Sequence, residues 1–390
     1  MPSLRPGSHA VIQINDRPGR RDFLGRVGAF GVGACCLPTF DMLAAAADVG
    51  DPSALREVDY YEPLEGNRVR CFVCPLNCTL SEGQTCFCRT RTNVGGRLVT
   101  RAWANPCVVR IEPIEKTPLY HFLPGQSCLT VGVGGCNLRC VYCQNWEVSQ
   151  SLPVQVERFS LRPDEVVEAA RRRDVSTIAF NITEPVAFLE YATDIARAAK
   201  ASGLRVICAT AGFINAEPLM AFAEHVDAFC VTLKGFSEDF YRNHMGVAFA
   251  PIQNTLKTIK HGTRSWLEIA HLIVPHLNED LVEFRRMCAW IRDKVGGDTP
   301  LHLARFTPAH KVKDYPLTAV DTLADARQAA LRMGLKYVYL ANVASHPGCN
   351  SYCPRCGRTL IDRAGFDVLR TAMRGGSCPA CSATIAGVWI

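Results

Sequence analysis

The sequence predicts an α/β fold, an open partial barrel of strand–helix units carrying one cysteine-rich module before it and another after it. Three observations predict it. From Ser127 onward, short apolar segments rich in Val and Ile alternate with stretches of helical character. Those segments show little polar alternation, as expected of strands buried on both faces of a parallel sheet. Finally, the chain holds 20 cysteines in 390 residues, and most stand in close-spaced groups, the habit of metal sites rather than of a disulfide framework.

Composition sets the outer limits. Hydrophobic residues at 48% and charged residues at 21% describe a globular chain with enough apolar material for a sizeable core. A formal charge of +6 with no dominant basic run, and no basic stripe interleaved with aromatics, makes no case for a nucleic-acid partner.

Residues 1–47 are set apart from the fold. Arg20-Arg21, Phe23-Leu24 and a weakly apolar run to Leu37 precede small residues at Ala44–Ala47. The segment resembles a twin-arginine export signal, which implies a periplasmic protein. The other reading is an N-terminal extension on a cytoplasmic one. The run is too short and Gly-rich to make a transmembrane span.

Residues 48–126 hold the first cysteine module, where Cys71, Cys74 and Cys78 are spaced as ligands and Cys86 and Cys88 return after a turn at Gly83. Such a module, with little core of its own, reads as metal-stabilised. The set chosen is Cys71, Cys74, Cys78 and Cys88, with Cys86 the spare. Zinc and a second iron–sulfur cluster both suit this spacing.

Residues 127–345 make the barrel. Predicted strands are Leu129–Val133, Thr177–Phe180, Arg205–Ala209, Ala228–Leu233, Leu267–Val274, Leu301–Phe306 and Tyr337–Leu340. One helix opens at Pro163 with Asp164 and Glu165 in its first turn, and another ends at Ser202-Gly203. The last is predicted to start at Thr318 and end at Gly334. Six or seven units are too few for a closed eight-fold barrel. Reactive groups are then expected at the C-terminal ends of the strands, including Glu184, Thr210, Gly212, Lys234, His271 and Thr307.

After the first strand, a Gly-rich bend leads into Cys136, Cys140 and Cys143, a C-x3-C-x2-C array. Three thiolates on so tight a loop suit a [4Fe–4S] cluster and leave one iron open to a small molecule. The bland alternative, a zinc knuckle, lacks a fourth Cys or His in the residues that follow. Tyr142, just before Cys143, offers a ring for stacking against a bound ligand. Glu184, before Pro185, is either a ligand for a cationic group or a helix cap, and Lys234 either an anion-binding group or a solvated charge.

Residues 346–390 carry Cys353-Pro-Arg-Cys356-Gly357 and Cys378-Pro-Ala-Cys381. Two Cys-x2-Cys knuckles at this separation read as a zinc-ribbon-like tail, with electron transfer as the lesser reading. His346 and Cys349 stand near enough to be alternative ligands.

The run CNLRCVYCQNW, with YHFLPGQSCLTVGVGG before it, resembles the radical S-adenosylmethionine (SAM) superfamily. Within it the chain, from about Cys71 to Trp389, resembles the radical SAM enzyme of the AmmeMemoRadiSam system and is similar to pyruvate formate-lyase activating enzymes. The resemblance implies a TIM-like partial (β/α)6-type barrel and a [4Fe–4S] cluster on Cys136, Cys140 and Cys143 that chelates SAM. It places Tyr142, Glu184, Thr210, Gly212 and Lys234 at the SAM site and favours the same four N-terminal cysteines. It also implies a reductant protein of flavodoxin or ferredoxin type, and a glycyl-radical or AmmeMemoRadiSam companion as partner. Thr183, Ala211, Thr232 and Thr307 depart from the family pattern.

The sequence therefore supports an enzyme that cleaves SAM reductively and abstracts hydrogen from a protein or small-molecule substrate. A second reading is an iron–sulfur protein with an altered SAM pocket, acting in electron transfer or as an assembly partner. A zinc-ribbon interaction module is the third.

Overall fold

A computed structural model describes residues 55–389. The twin-arginine-like segment, with Cys35 and Cys36, lies outside the described residues. Among these, no helix is long and apolar enough to cross a membrane.

The central sheet has eight strands in sequential order: β1 (Pro106–Pro113), β2 (Ser127–Val133), β3 (Thr177–Phe180), β4 (Arg205–Thr210), β5 (Ala228–Thr232), β6 (Trp266–Ile273), β7 (Leu301–Arg305) and β8 (Val338–Ala341). All neighbours from β2 to β8 pair in parallel, while β1 runs antiparallel along the edge of β2. The ends β1 and β8 do not pair, so the barrel is partial. Its principal helices are α1 (Pro163–Arg172), α2 (Leu189–Ala201), α3 (Ala216–Ala223), α4 (Ala250–Gly262), α5 (Leu281–Trp290) and α6 (Val320–Arg332). Helix α1 starts on Pro163, and Glu165 accepts the Arg162 N–H to close its first turn. Helix α2 stops where Gly203 turns left-handed, at φ +75°.

Helix and sheet meet through an aromatic layer in which Phe180 of β3 packs on Phe188 and on Phe222 of α3, which in turn meets Phe229 of β5. Two expectations are corrected. Helix α6 begins at Val320, and Thr318 is no cap: its hydroxyl donates to Ile273 O and accepts from Phe306 N, tying β6 to β7. His271 turns away from the barrel interior, packs on Phe284 of α5 and hydrogen-bonds Leu233 O at 2.7 Å.

Before the barrel, two small antiparallel sheets carry the first cysteine module, and a buried ion pair joins it to α2. Arg91 meets Glu190 with two parallel bonds of 3.0 and 2.9 Å, and its remaining donors go to Val186 O and Cys88 Sγ. After the barrel, the three strands Ser351–Tyr352, Thr359–Ala364 and Asp367–Thr371 form a sheet. The chain then returns to the barrel floor, where Val388 exchanges backbone bonds with His121 and Leu123.

Candidate functional site

A cleft of about 340 Å³ opens among the C-terminal ends of the barrel strands. It is lined by Cys136, Cys140, Tyr142, Cys143, Glu184, Thr210 and Lys234. Gly212 is not among the lining residues; at φ +73° it makes the turn behind Thr210, whose hydroxyl accepts its N–H at 3.0 Å.

The cysteine loop hangs from neighbours on both sides. Arg139 and Val141 donate backbone bonds to Met245 O and His244 O, Val141 O accepts from Lys311 N, and Gly135 N reaches Val148 O. Ser149 Oγ lies 3.2 Å from Cys143 Sγ.

Glu184 is buried, and its carboxylate accepts from Thr210 Oγ1 at 2.6 Å, Ala211 N at 2.8 Å and Val186 N at 3.2 Å. It therefore caps the turn that follows and still has room for one further donor. Burial pushes its carboxyl up, against the pull of those donors and of Lys234. Among the described residues the Lys234 ammonium has no ion pair or hydrogen bond, and its backbone N–H is held by Tyr241 OH.

Burial, then Glu184 and Cys140, push the Cys136 thiol well above its usual range, and burial brings Cys140 to about 11 although Lys234 pulls it down. Three adjoining soft donors, two of them in surroundings that oppose a bare thiolate, fit a cationic metal group, which would take up that charge. The Tyr142 ring is buried edge-on to Phe306, and its OH is buried without a partner, as befits a group facing a ligand.

Three of the departures line this cleft. Thr183 accepts the Val133 N–H at 3.1 Å, Ala211 offers only its backbone, and Thr232 sits beside Lys234 on the wall, whereas Thr307 is exposed and off the cleft.

The sequence model of the radical SAM superfamily matches residues 130–291, which hold the cysteine loop, Glu184 and Lys234. An uncharacterized protein of Methanocaldococcus jannaschii is 38% identical over 85% of this chain and 99% of its own length. The chain belongs to the radical SAM superfamily. It is also similar to the pyruvate formate-lyase-activating enzyme of Clostridium pasteurianum, 24% identical over 52% of this chain and 87% of that one. A radical SAM methyltransferase from Sphaerobacter thermophilus superposes with a TM-score of 0.45 at 15% identity, covering 58% of this chain and 71% of that one. Radical SAM proteins use a [4Fe–4S] cluster and SAM, and this radical SAM chain puts its three loop cysteines on the wall of the cleft at the C-terminal ends of its strands.

The C-terminal cysteines form a second candidate centre. Cys353, Cys356, Cys378 and Cys381 bring their sulfurs within 4.8 Å of one another, with Cys353–Cys381 at 3.6 Å and Cys356–Cys378 at 3.7 Å. A tetrahedron built on Zn–S bonds of about 2.3 Å has edges of about 3.8 Å. The two knuckles repeat one geometry: Gly357 N returns to Cys353 O and Ser382 N to Cys378 O, each at 2.9 Å. Gly357 and Ser382 are both left-handed. His346 and Cys349 are not in this group; His346 instead accepts the Gly348 N–H.

Sequence reasoning missed the barrel floor. There Glu268 of β6 accepts from Tyr120 N, His121 N, Trp266 Nε1 and His302 Nε2, while Tyr339 OH joins His121 to Ser351. Arg363 of the C-terminal sheet lies fully buried, 4.3 Å over the Tyr120 ring, and donates to Tyr120 O and Ser351 Oγ. The one signal was polar residues inside otherwise apolar strands.

Proposed function

We propose that this radical SAM protein cleaves SAM reductively and abstracts hydrogen from a protein or small-molecule substrate, as an activating enzyme does. One observation carries the reading: Cys136, Cys140 and Cys143 share a single cleft with a buried carboxylate and an unpaired lysine. The three thiolates would hold the cluster. When bound, that group supplies the electron that splits the sulfonium of SAM, releasing a 5′-deoxyadenosyl radical. Glu184, already oriented by three donors, takes the SAM ammonium with its remaining lone pair. Lys234 takes the SAM carboxylate or ribose, and Tyr142 OH meets a polar edge of the ligand. Buried Tyr142 and Phe306 keep water from the back of the cleft.

A low-potential donor of flavodoxin or ferredoxin type supplies electrons, and the partner is a glycyl-radical protein or a companion protein of the AmmeMemoRadiSam system. The C-terminal quartet holds a structural zinc ion, because its sulfur spacing fits a single tetrahedral ion. Anaerobically reconstituted protein given dithionite and SAM should release 5′-deoxyadenosine. An intact cluster with no release would overturn the enzyme reading. The second reading, a cluster protein with an altered SAM pocket, draws on Glu184 being largely occupied by protein donors and on Ala211 offering no polar side chain.

A further inference from the structure

The connection between β1 and β2 folds back inside the barrel. Ile114, Leu119 and Phe122 pack with Ala179, Ala228 and Ala270, small side chains from three strands. The neighbours Phe180 and Phe229 turn outward to the helix layer, so by the alternation of the pleat these alanines face the interior. Residues 114–122 are therefore a plug, and its two sides meet different parts of the molecule.

On the cleft side, Lys116 and Pro118 are lining residues. Lys116 O accepts from Asn181 Nδ2 at 3.2 Å, and Asn181 Oδ1 accepts the Ile182 N–H at 2.7 Å. The plug thus reaches Ile182, left-handed at φ +75° and two positions before Glu184. On the other side, Glu115 is fully buried, and among the described residues Arg363 is its one cationic partner, at 3.8 Å. Arg363 also donates to Tyr120 O and to Ser351 Oγ, each at 2.9 Å. Its strand, Thr359–Ala364, begins just behind the first C-terminal knuckle, where Cys353 N donates to Arg358 O at 2.8 Å. Arg363 is not among the residues lining the cleft.

A buried guanidinium is costly until it is paired, and an apolar side chain would seal the barrel floor as well. What the rigid fork adds is position: it meets Glu115, Tyr120 O and Ser351 together at only one setting of the plug. We propose that Arg363 is a positioning residue for the SAM cleft. Through Glu115 and Tyr120 it sets the plug, and through Lys116 O and Asn181 the plug sets the loop that carries Glu184. The inference rests on the reading that this cleft binds SAM.

The test uses the full chain, reconstituted anaerobically. Arg363→Met should raise the SAM dissociation constant roughly fivefold, the worth of one hydrogen bond, with iron content and the rate of 5′-deoxyadenosine release at saturating SAM unchanged. Asn181→Ala should do the same, and the double variant should bind no more weakly than Asn181→Ala alone, because both cut one link. Arg363→Lys, which keeps a charge beside Glu115, should recover part of the affinity. Amide hydrogen exchange without SAM reads the link directly: Arg363→Met should speed exchange at residues 114–118 and 181–184 and leave α2 unchanged. Unchanged affinity in folded Arg363→Met, effects that multiply in the double variant, or unchanged exchange at 181–184 would each overturn the proposal. An unsubstituted protein that binds no SAM overturns the SAM reading alone, and the exchange data then decide whether Arg363 sets the loop. If Arg363→Met does not fold by circular dichroism, Glu115→Gln, which removes the charge that Arg363 meets, takes its place in every comparison.

Discussion

The Asn145 side-chain amide donates to Ile182 O at 2.7 Å, and Ile182 sits at φ +75°, a left-handed conformation that a β-branched residue rarely adopts. Asn145 belongs to the run that follows the third loop cysteine, and Ile182 precedes Thr183 and Glu184 on the opposing wall of the cleft. The bond thus latches the cysteine loop to the carboxylate loop and holds a strained residue in place.

Ile182→Gly removes that strain, and a rise in stability of about 1 kcal/mol is expected. The thermal midpoint should increase while the SAM concentration for half-maximal 5′-deoxyadenosine release also rises, because the wall is looser. Asn145→Ala should lower the midpoint and raise the same SAM requirement. Scanning calorimetry and chromatography of the nucleoside check both.

Glu184→Gln puts an amide donor where the Thr210 hydroxyl and the Val186 and Ala211 N–H groups all donate. With its charge and one acceptor gone, SAM affinity should fall at least tenfold, about 1.4 kcal/mol or more. Iron content should stay unchanged. Equilibrium binding of SAM to the reconstituted protein gives the answer.

Removing one knuckle cysteine should cost more than the metal. Cys353→Ser is expected to lose one zinc equivalent and to leave residues 346–389 open to protease, since Arg363 and Trp389 are docked by that module. Limited proteolysis with mass spectrometry reads this, with the barrel fragment staying intact.

Breaking the Arg91–Glu190 pair leaves an uncompensated charge in a site where both side chains are 2% exposed. Arg91→Met is expected to destabilise by roughly 3–5 kcal/mol, and the double change with Glu190→Leu to recover much of it. Urea unfolding of the two variants is the measurement.

Burial lowers the His271 pKa to about 4 from an ordinary 6.5. Between those values the unfolded chain binds the proton that the folded chain refuses. The stability is therefore complete above pH 6.5 and is lost as pH falls toward 4, by roughly 3 kcal/mol over the window. His121, also brought to about 4, adds in the same direction, whereas Glu115, raised to about 7 by burial, opposes it. His271→Gln should flatten the acid limb relative to the unsubstituted protein, and the difference between the two urea-derived curves isolates this group.

How far the chain could be read without coordinates depended on how local each cause was. Continuous apolar runs such as Thr177–Phe180 located β3 to the residue, because a strand buried on both faces needs no partner to be recognised. Strand β1 escaped notice: it lies on the sheet edge, is mostly half-buried, and carries Arg110 and Glu112. His271 was expected in the cleft because it lies toward the C-terminal end of a predicted strand, yet the pleat alternates and hands the interior to Ala270 and Leu272.

Spacing along the chain determined the cysteine loop and the paired knuckles, because a ligand group within a few residues is constrained by its own turn and little else. Strand–helix alternation likewise determined the barrel, through the burial each face demands. Only the tertiary structure decided which residues meet from distant strands: Glu184 with Thr210, Glu268 with His302, Cys88 with Cys136. Those contacts join groups far apart in the chain, and the parallel sheet's register, which no short segment encodes, sets which side chains face one another.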